Sequence, residues 1–366
     1  MKPNWKVPFL DLRVQDPAER EALLQAVAQV LDHGRLVMGP EVAEFEQTVA
    51  ARCRRRHGVG VNSGTDALWL ALKALGVGPG DEVITTSLSW IASTNAIALN
   101  GATPVFADIR DDLNIDPDSV RRLVTDKTKA ILPVHYTGRM CDMDALGAIA
   151  ADSGAALVED SAQAFGADWK GAPAGSFGVM SCFSMNPMKV FAACGEAGLV
   201  VTDDQALAEK LEALRYNGCV NRETCVEPSS NGRLDTLQAA MLLARLDYLD
   251  GLISRRGENA AFYDDALNGV VETPPKSEFG RHVYYTYMIQ ADRRDELKAF
   301  LEAEGIETKI QHPILMPEQP AYRDGARGEF DNARRLKQRI LCIPANEKVS
   351  AEQRELVAER IRAFYQ

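Results

Sequence analysis

From Val59 to Glu159 short apolar runs alternate with amphipathic stretches, and that rhythm leaves few folds open. The runs are Val59-Gly60-Val61, Glu82–Thr85, Pro104–Ala107, Ala130–Val134 and Ala155–Glu159. The stretches between them that centre on Leu68–Leu75, Trp90–Leu99, Ser119–Val124 and Met143–Ala151 carry helical spacing. Strands separated by helices pair in parallel, because each crossover needs a helix's length of chain, and the helices then cover both faces of the sheet. The expectation is an α/β fold with a large, mostly parallel sheet sandwiched by helices. Val179–Ser184 and Leu199–Thr202 lack a helix between them and predict a hairpin-like return.

Ahead of this rhythm, Asp16-Pro17 opens a helix that Gly34 closes, with Leu23, Leu24, Val27, Val30 and Leu31 at helical spacing. Gly39-Pro40 opens a second, with Val42, Phe45, Val49 and Ala50 on one side. After Asp204 the pattern is helical over Gln205–Tyr216 and Thr236–Leu249. Around Asp250 the character changes again: a strand-like Val283–Gln290, a helix over Arg293–Glu304, a proline-rich loop, then helices over Glu329–Ile340 and Ser350–Phe364. A chain of 366 residues is long for one core. It divides into a large domain, 1–249, with the N-terminal helices, and a smaller C-terminal α/β domain, 250–366. Val220–Gly232 is polar and without period, a loop long enough to be functional or mobile.

The net charge of −11 argues against a nucleic-acid surface. The one basic run, Arg52–His57, follows a helical pattern and reads as a solvated helix end. No apolar run is long enough to cross a bilayer, and Met1–Lys6 lacks the apolar core and cleavage site of a signal peptide. The seven cysteines are odd in number and scattered, with no Cys-x-x-Cys pair, which suits reduced thiols and neither a disulfide frame nor a zinc site. These features predict a cytoplasmic chain with no metal, membrane or nucleic-acid partner.

Four segments carry chemistry, each beside a plainer alternative. Ser63-Gly64-Thr65 lies between a strand and a helix, where free N–H groups, hydroxyls and the dipole make a phosphate seat, or simply a capped helix. Trp90, at another strand-to-helix junction, offers an indole that stacks on a flat ring, or packs in the core. Asp160 ends an apolar strand at the ligand-binding edge of such sheets, where a carboxylate keeps a pyridine nitrogen protonated; Gln163 stands one helical turn on. A helix cap and a solvent-facing amide are the alternatives. Lys189 sits among Met188, Val190, Phe191, Ala192 and Ala193. Desolvation there disfavours the ammonium form and frees the amine to attack a carbonyl, unless the lysine is a surface residue at a loop tip. Ser184 would add a hydroxyl to the phosphate seat.

Phosphate seat, aromatic, Asp-x-x-Gln and Ser with Lys five positions on follow one another along a single expected sheet. That is the arrangement of a fold-type I pyridoxal phosphate (PLP) enzyme. Over nearly its whole length the chain resembles the DegT/DnrJ-type family of nucleotide-sugar aminotransferases. The resemblance rests on Val37–Val42, Ser63–Leu68, Trp90–Ala96, Pro133–Gly138, Glu159–Gly166, Gly175–Gly178, Asn231–Asp235 and Gln319–Tyr322. It implies that Gly64, Thr65 and Ser184 hold the cofactor phosphate and Trp90 stacks on the ring. Asp160 would pair with the ring nitrogen, Gln163 would approach the ring hydroxyl, and Lys189 would carry the internal aldimine. Asn231 would be a phosphate ligand given across a homodimer with shared active sites; Arg233 either joins the site or forms a structural ion pair. The implied reaction passes an amine from glutamate or glutamine, through pyridoxamine phosphate, to a nucleotide-linked keto-sugar. A non-sugar or small phosphorylated ketone, or a PLP-binding regulatory role without turnover, are the alternatives. Related dehydratases carry histidine in place of the lysine, so Lys189 argues against deoxygenation. The chain departs from the family pattern at Met185-Asn186, Ala197, Met316-Pro317-Glu318 and at His312, where a tyrosine is expected. These departures fall mainly where substrate, not cofactor, is expected.

Overall fold

A computed structural model describes residues 5–277 and 279–366. Met1–Asn4, on which most of the leader reading rests, lie outside the described residues. Helix α1 (Pro17–His33) starts where the Asp16 side chain accepts from the Glu19 N–H at 2.9 Å and stops at Gly34, whose φ of 68° is left-handed. It buries Leu23, Ala26 and Val30, while Leu24 and Leu31 face outward. Helix α2 (Pro40–Arg52) buries Val42, Phe45, Val49 and Ala50 as its spacing predicts.

Strands β1 (His57–Val61), β2 (Glu82–Thr86), β3 (Thr103–Ala107), β4 (Thr128–Leu132) and β5 (Ala156–Asp160) follow. Between them run α3 (Gly64–Ala74), α4 (Ala92–Leu99), α5 (Pro117–Leu123) and α6 (Met143–Ser153). A two-rung hairpin, β6 (Asp168–Trp169) and β7 (Ala172–Pro173), precedes β8 (Met180–Ser184) and β9 (Gly198–Thr202). The sheet has seven strands in the order β1-β9-β8-β5-β4-β2-β3. Only β9 runs against its neighbours, and its antiparallel pairing to β8 is the expected return. Alternation sorts side chains to two cores. Ile84, Ile131, Leu199 and Val201 face one with α2 and α6; Val83, Ala130, Leu132 and Val200 face the other with α3 and α7 (Gln205–Arg215).

Three readings change. The helix expected to end at Leu249 continues as α8 (Thr236–Ala266), across the 249/250 boundary. It changes partners without breaking: Ala239, Leu242, Leu249 and Ile253 pack in the large core, Ala260 and Tyr263 in a C-terminal one. The C-terminal part holds β10 (Tyr287–Gln290), α9 (Arg294–Ala303), α10 (Asp331–Lys337), β11 (Ile340–Ile343) and α11 (Ala351–Tyr365). The helix expected over Glu329–Ile340 ends at Lys337, and an unexpected strand β11, antiparallel to β10, begins at Ile340; a four-residue apolar run cannot be told from a helix end by periodicity. Arg55 is not solvated. Its guanidinium donates to the carbonyls of Gly175 (2.8 Å), Phe177 (2.5 Å) and Gly178 (2.9 Å) and pairs with Asp203 at 2.8 Å. Among the described residues no helix is long and apolar enough to cross a membrane.

Candidate active site

Because β1, β2, β4, β5 and β8 run the same way, their C-terminal ends share one edge of the sheet. A cavity of about 670 Å³ opens there, lined by Gly64, Thr65, Trp90, Asp160, Gln163, Ser184 and Lys189 among others. Asn231 is not on its wall.

One end is built for an anion. Ser63 caps α3 by accepting from the Asp66 N–H at 3.1 Å, and the first intrahelical bond runs from the Ala67 N–H to the Ser63 carbonyl at 3.0 Å. The N–H groups of Gly64 and Thr65 precede that bond and belong to the helix's unsatisfied positive end. The plain reading of Ser63 as a cap and the reading of this turn as an anion seat are therefore the same geometry. A Cβ on Gly64 would stand 2.4 Å from Ser184 Cβ. Glycine alone lets the start of α3 meet the end of β8, which brings the Ser184 hydroxyl beside those N–H groups.

The other end is built for a cation. Asp160 is 3% exposed, and burial pushes its carboxyl above the ordinary carboxylate range. The Ser93 hydroxyl donates to Oδ2 at 2.7 Å and the Ala162 N–H to Oδ1 at 3.2 Å, which works the other way. Buried Gln163 is not a solvent-facing amide: its Oε1 accepts from the Thr137 N–H at 2.9 Å, which leaves its NH₂ for a ligand. Behind Asp160, the neighbouring Glu159 is held by His135 Nε2 at 2.8 Å and by the Gly175 and Phe177 N–H groups. His135 Nδ1 accepts from the Cys141 N–H, so the ring carries its proton on Nε2.

Lys189 lies on a folded loop, its N–H donating to the Asn186 carbonyl at 2.8 Å. Val190, Phe191 and Ala193 are buried in the core, whereas the half-buried lysine puts Nζ 4.5 Å from the centre of the Tyr285 ring. Trp90 stands 60% exposed at the cavity wall, with its ring 5.9 Å from His312. His312 in turn sits 5.7 Å from Tyr136, at a left-handed φ of 55°. Burial, reinforced by the Lys189 charge, pushes its imidazole down to about 4, so it is neutral at physiological pH. Asn231 is exposed; its Oδ1 accepts from Arg233 Nε at 2.7 Å, and the Arg233 guanidinium lies over Tyr216.

Ser93 and Tyr285 escaped the sequence reading. For Ser93 a signal was present, since it stands three residues after Trp90 and so shares its helical face. Tyr285 comes from a distant loop and no spacing points to it. The set fits PLP: a glycine-floored phosphate seat, a buried carboxylate at the opposite end, an amide NH₂ between them and a primary amine on the wall.

The family model for the DegT/DnrJ/EryC1/StrS aminotransferase family matches residues 17–362. The chain is 40% identical to a dTDP-3-amino-3,4,6-trideoxy-α-D-glucose transaminase of Streptomyces venezuelae, over 98% of this chain and 96% of that one. It is 38% identical to a pleiotropic regulatory protein of Geobacillus stearothermophilus, with 98% of each covered. Among solved structures, S. venezuelae DesV superposes with a TM-score of 0.95 at 39% identity, over 98% of both chains. Solved neighbours also include PLP and pyridoxamine phosphate forms. The chain is a PLP-dependent aminotransferase, a member of the DegT/DnrJ/EryC1/StrS family.

Proposed function

We propose that this chain transfers an amino group from glutamate or glutamine to the keto group of a nucleotide-linked sugar, with Lys189 as the amine that carries PLP. The observation that carries this is one cavity lined by the α3 N-terminus, Asp160 and Lys189 together. Bound PLP supplies an electron sink for the negative charge that develops beside the transferred nitrogen. The residues do the rest. The Gly64 and Thr65 N–H groups and the Ser184 hydroxyl hold the phosphate. Asp160, kept anionic by Ser93, holds the proton on the ring nitrogen. Gln163 fixes the ring hydroxyl, and Trp90 closes one ring face. Lys189 Nζ, as a free amine, would take the proton from the donor's α-carbon and give it back, as base and then acid. The keto acceptor follows the donor into the same cavity, so both must fit one set of contacts. That the transaminase relative of Streptomyces venezuelae is named for a dTDP-linked amino sugar supports the acceptor class.

Lys189→Ala tests the assignment. The wild-type protein is expected to convert glutamate to 2-oxoglutarate in a single turnover with PLP, and a separate sample reduced with borohydride is expected to carry a pyridoxyl group on the Lys189 peptide. The variant is expected to do neither; a fully active, yellow Lys189→Ala protein overturns the assignment. A regulatory role without turnover predicts cofactor binding with no 2-oxoglutarate.

The same proposal assigns Asn231 to the partner's site, in keeping with its absence from the wall of its own chain's cavity and with the exposed Leu24, Leu31, Leu36 and Val37. Mixing Lys189→Ala with Asn231→Ala protein, after brief subunit exchange, is expected to restore activity that neither variant has alone. No gain on mixing, with exchange verified, rejects a shared site.

A further inference from the structure

Away from the cavity, the segment between α7 and α8 brings two cysteines face to face. Tyr216 and Asn231 close its base as an antiparallel bridge, and Cys219 and Cys225 form a second bridge further out. The flanking hydrogen bonds run from the Val220 N–H to the Thr224 carbonyl (3.1 Å) and from the Val226 N–H to the Gly218 carbonyl (2.8 Å). They bracket the cysteine pair and do not join it. That is the register in which opposite Cα atoms lie about 4.5 Å apart and side chains approach most closely. Disulfides span Cα separations from about 4.4 Å upward, so the backbone already stands at bridging distance. Both thiols also use one acceptor, the Asn217 carbonyl, at 3.9 Å from Cys219 Sγ and 3.4 Å from Cys225 Sγ, which puts the sulfurs on the same side. Gly218 holds the turn tight: at φ 74° it approaches Glu227 so closely that a Cβ would meet that carbonyl oxygen at 1.5 Å.

Both thiols are also reachable from solvent. Cys225 is exposed and Cys219 partly so, whereas Cys53, Cys141, Cys182 and Cys342 are buried and Cys194 is exposed on a different loop. We propose that Cys219 and Cys225 are a dithiol modification site, which a low-molecular-weight disulfide of the glutathione type converts to an intraloop disulfide. The thiolate of the more exposed Cys225 attacks one sulfur of the reagent and expels one reagent thiolate. Cys219 then attacks the Cys225 sulfur of the mixed disulfide and expels the second. Two protein thiols lose two electrons and two protons; one reagent disulfide gains them and leaves as two thiols. The pair is reduced in a reducing compartment and oxidises when the thiol–disulfide poise rises. The crosslink stiffens the arm whose base carries Asn231.

The test uses the full-length holoenzyme treated with glutathione disulfide, then denatured, alkylated and mapped by mass spectrometry. The expected product has lost two hydrogens, shows a Cys219–Cys225 linked peptide and two fewer alkylated thiols, and returns to the starting mass with dithiothreitol. Cys219→Ser is expected to stop at a stable mixed disulfide on Cys225, because the resolving thiol is gone. Its thermal melt, matched to wild type, separates that result from misfolding. Free alkylation of both cysteines after oxidation overturns the proposal. So does a mixed disulfide on each in the wild-type protein, or a crosslink between two chains. The site stands or falls without reference to the amino donor or acceptor.

Discussion

Ser93 shows how a single hydroxyl sets the charge of the site. Asp160 is buried deeply enough that desolvation favours its neutral form, yet a neutral acid cannot hold a proton on a ring nitrogen. The 2.7 Å bond from Ser93 Oγ is the first of the opposing influences, ahead of the Ala162 N–H and the charge of Lys189. Hydrogen bonds to charged groups contribute about 1.5–3 kcal/mol. Ser93→Ala is therefore expected to weaken PLP binding by roughly 10- to 100-fold, since each ~1.4 kcal/mol is a factor of ten. Titration of the apoprotein with PLP, followed by absorbance, checks this. Unchanged affinity would mean that Asp160 does not face the ring nitrogen. Ser93→Thr, which keeps the hydroxyl, is expected to retain most of the affinity.

Among the elements, the loop from Gly175 to Gly178 shows what sequence pattern reaches and what it misses. The alternation of strands and helices was legible because short apolar runs and period-3.6 patterns are local. So were the caps of α1, which depend on Asp16, Pro17 and Gly34 alone. The cavity-lining residues that follow strands were legible because they end apolar runs, as Asp160 does. What escaped depends on partners far along the chain. Arg55 reads as part of a solvated cluster, but its side chain is 6% exposed and satisfies three carbonyls that β-sheet pairing leaves open. Likewise α8 reads as ending where its apolar face only turns from one core to the next. Arg55→Met keeps the bulk and removes the donors. It is expected to cost roughly 1–3 kcal/mol, because the part-buried Gly175 and Phe177 carbonyls lose their partner while Asp203, half-exposed, stays solvated. Urea unfolding measures the loss; a change under about 0.5 kcal/mol would place the clamp among ordinary surface contacts.

At the scale of the whole molecule, residues packed on the large core and on the C-terminal core both line the cavity, and one histidine sits where they join. His282 is 8% exposed on the segment leading to β10, which docks on the turn after β4: Val283 donates to the Gly138 carbonyl at 3.0 Å. Its Nδ1 accepts from the Tyr284 N–H at 2.8 Å, while Nε2 lies 3.4 Å from Thr137 Oγ1. A proton on Nδ1 would point at the Tyr284 N–H, so only the neutral ring fits. Burial, with the nearby Arg139 charge, pushes His282 down to about 3. The unfolded chain takes up a proton here near pH 6.5, and the folded chain takes it up only near pH 3. Between those values the unfolded state binds more protons, so stability is full above pH 6.5 and falls as the medium is acidified. Each pH unit in that window is worth about 1.4 kcal/mol, so His282 alone accounts for at most about 2 kcal/mol between pH 6.5 and 5. His312 is shifted in the same direction and adds to the slope. His282→Asn, which keeps an acceptor for Tyr284, is expected to be less stable than wild type at pH 8 but to lose less on going to pH 5. Urea midpoints at the two pH values decide it: parallel losses in the two proteins would show that the join between the cores is not where acid acts.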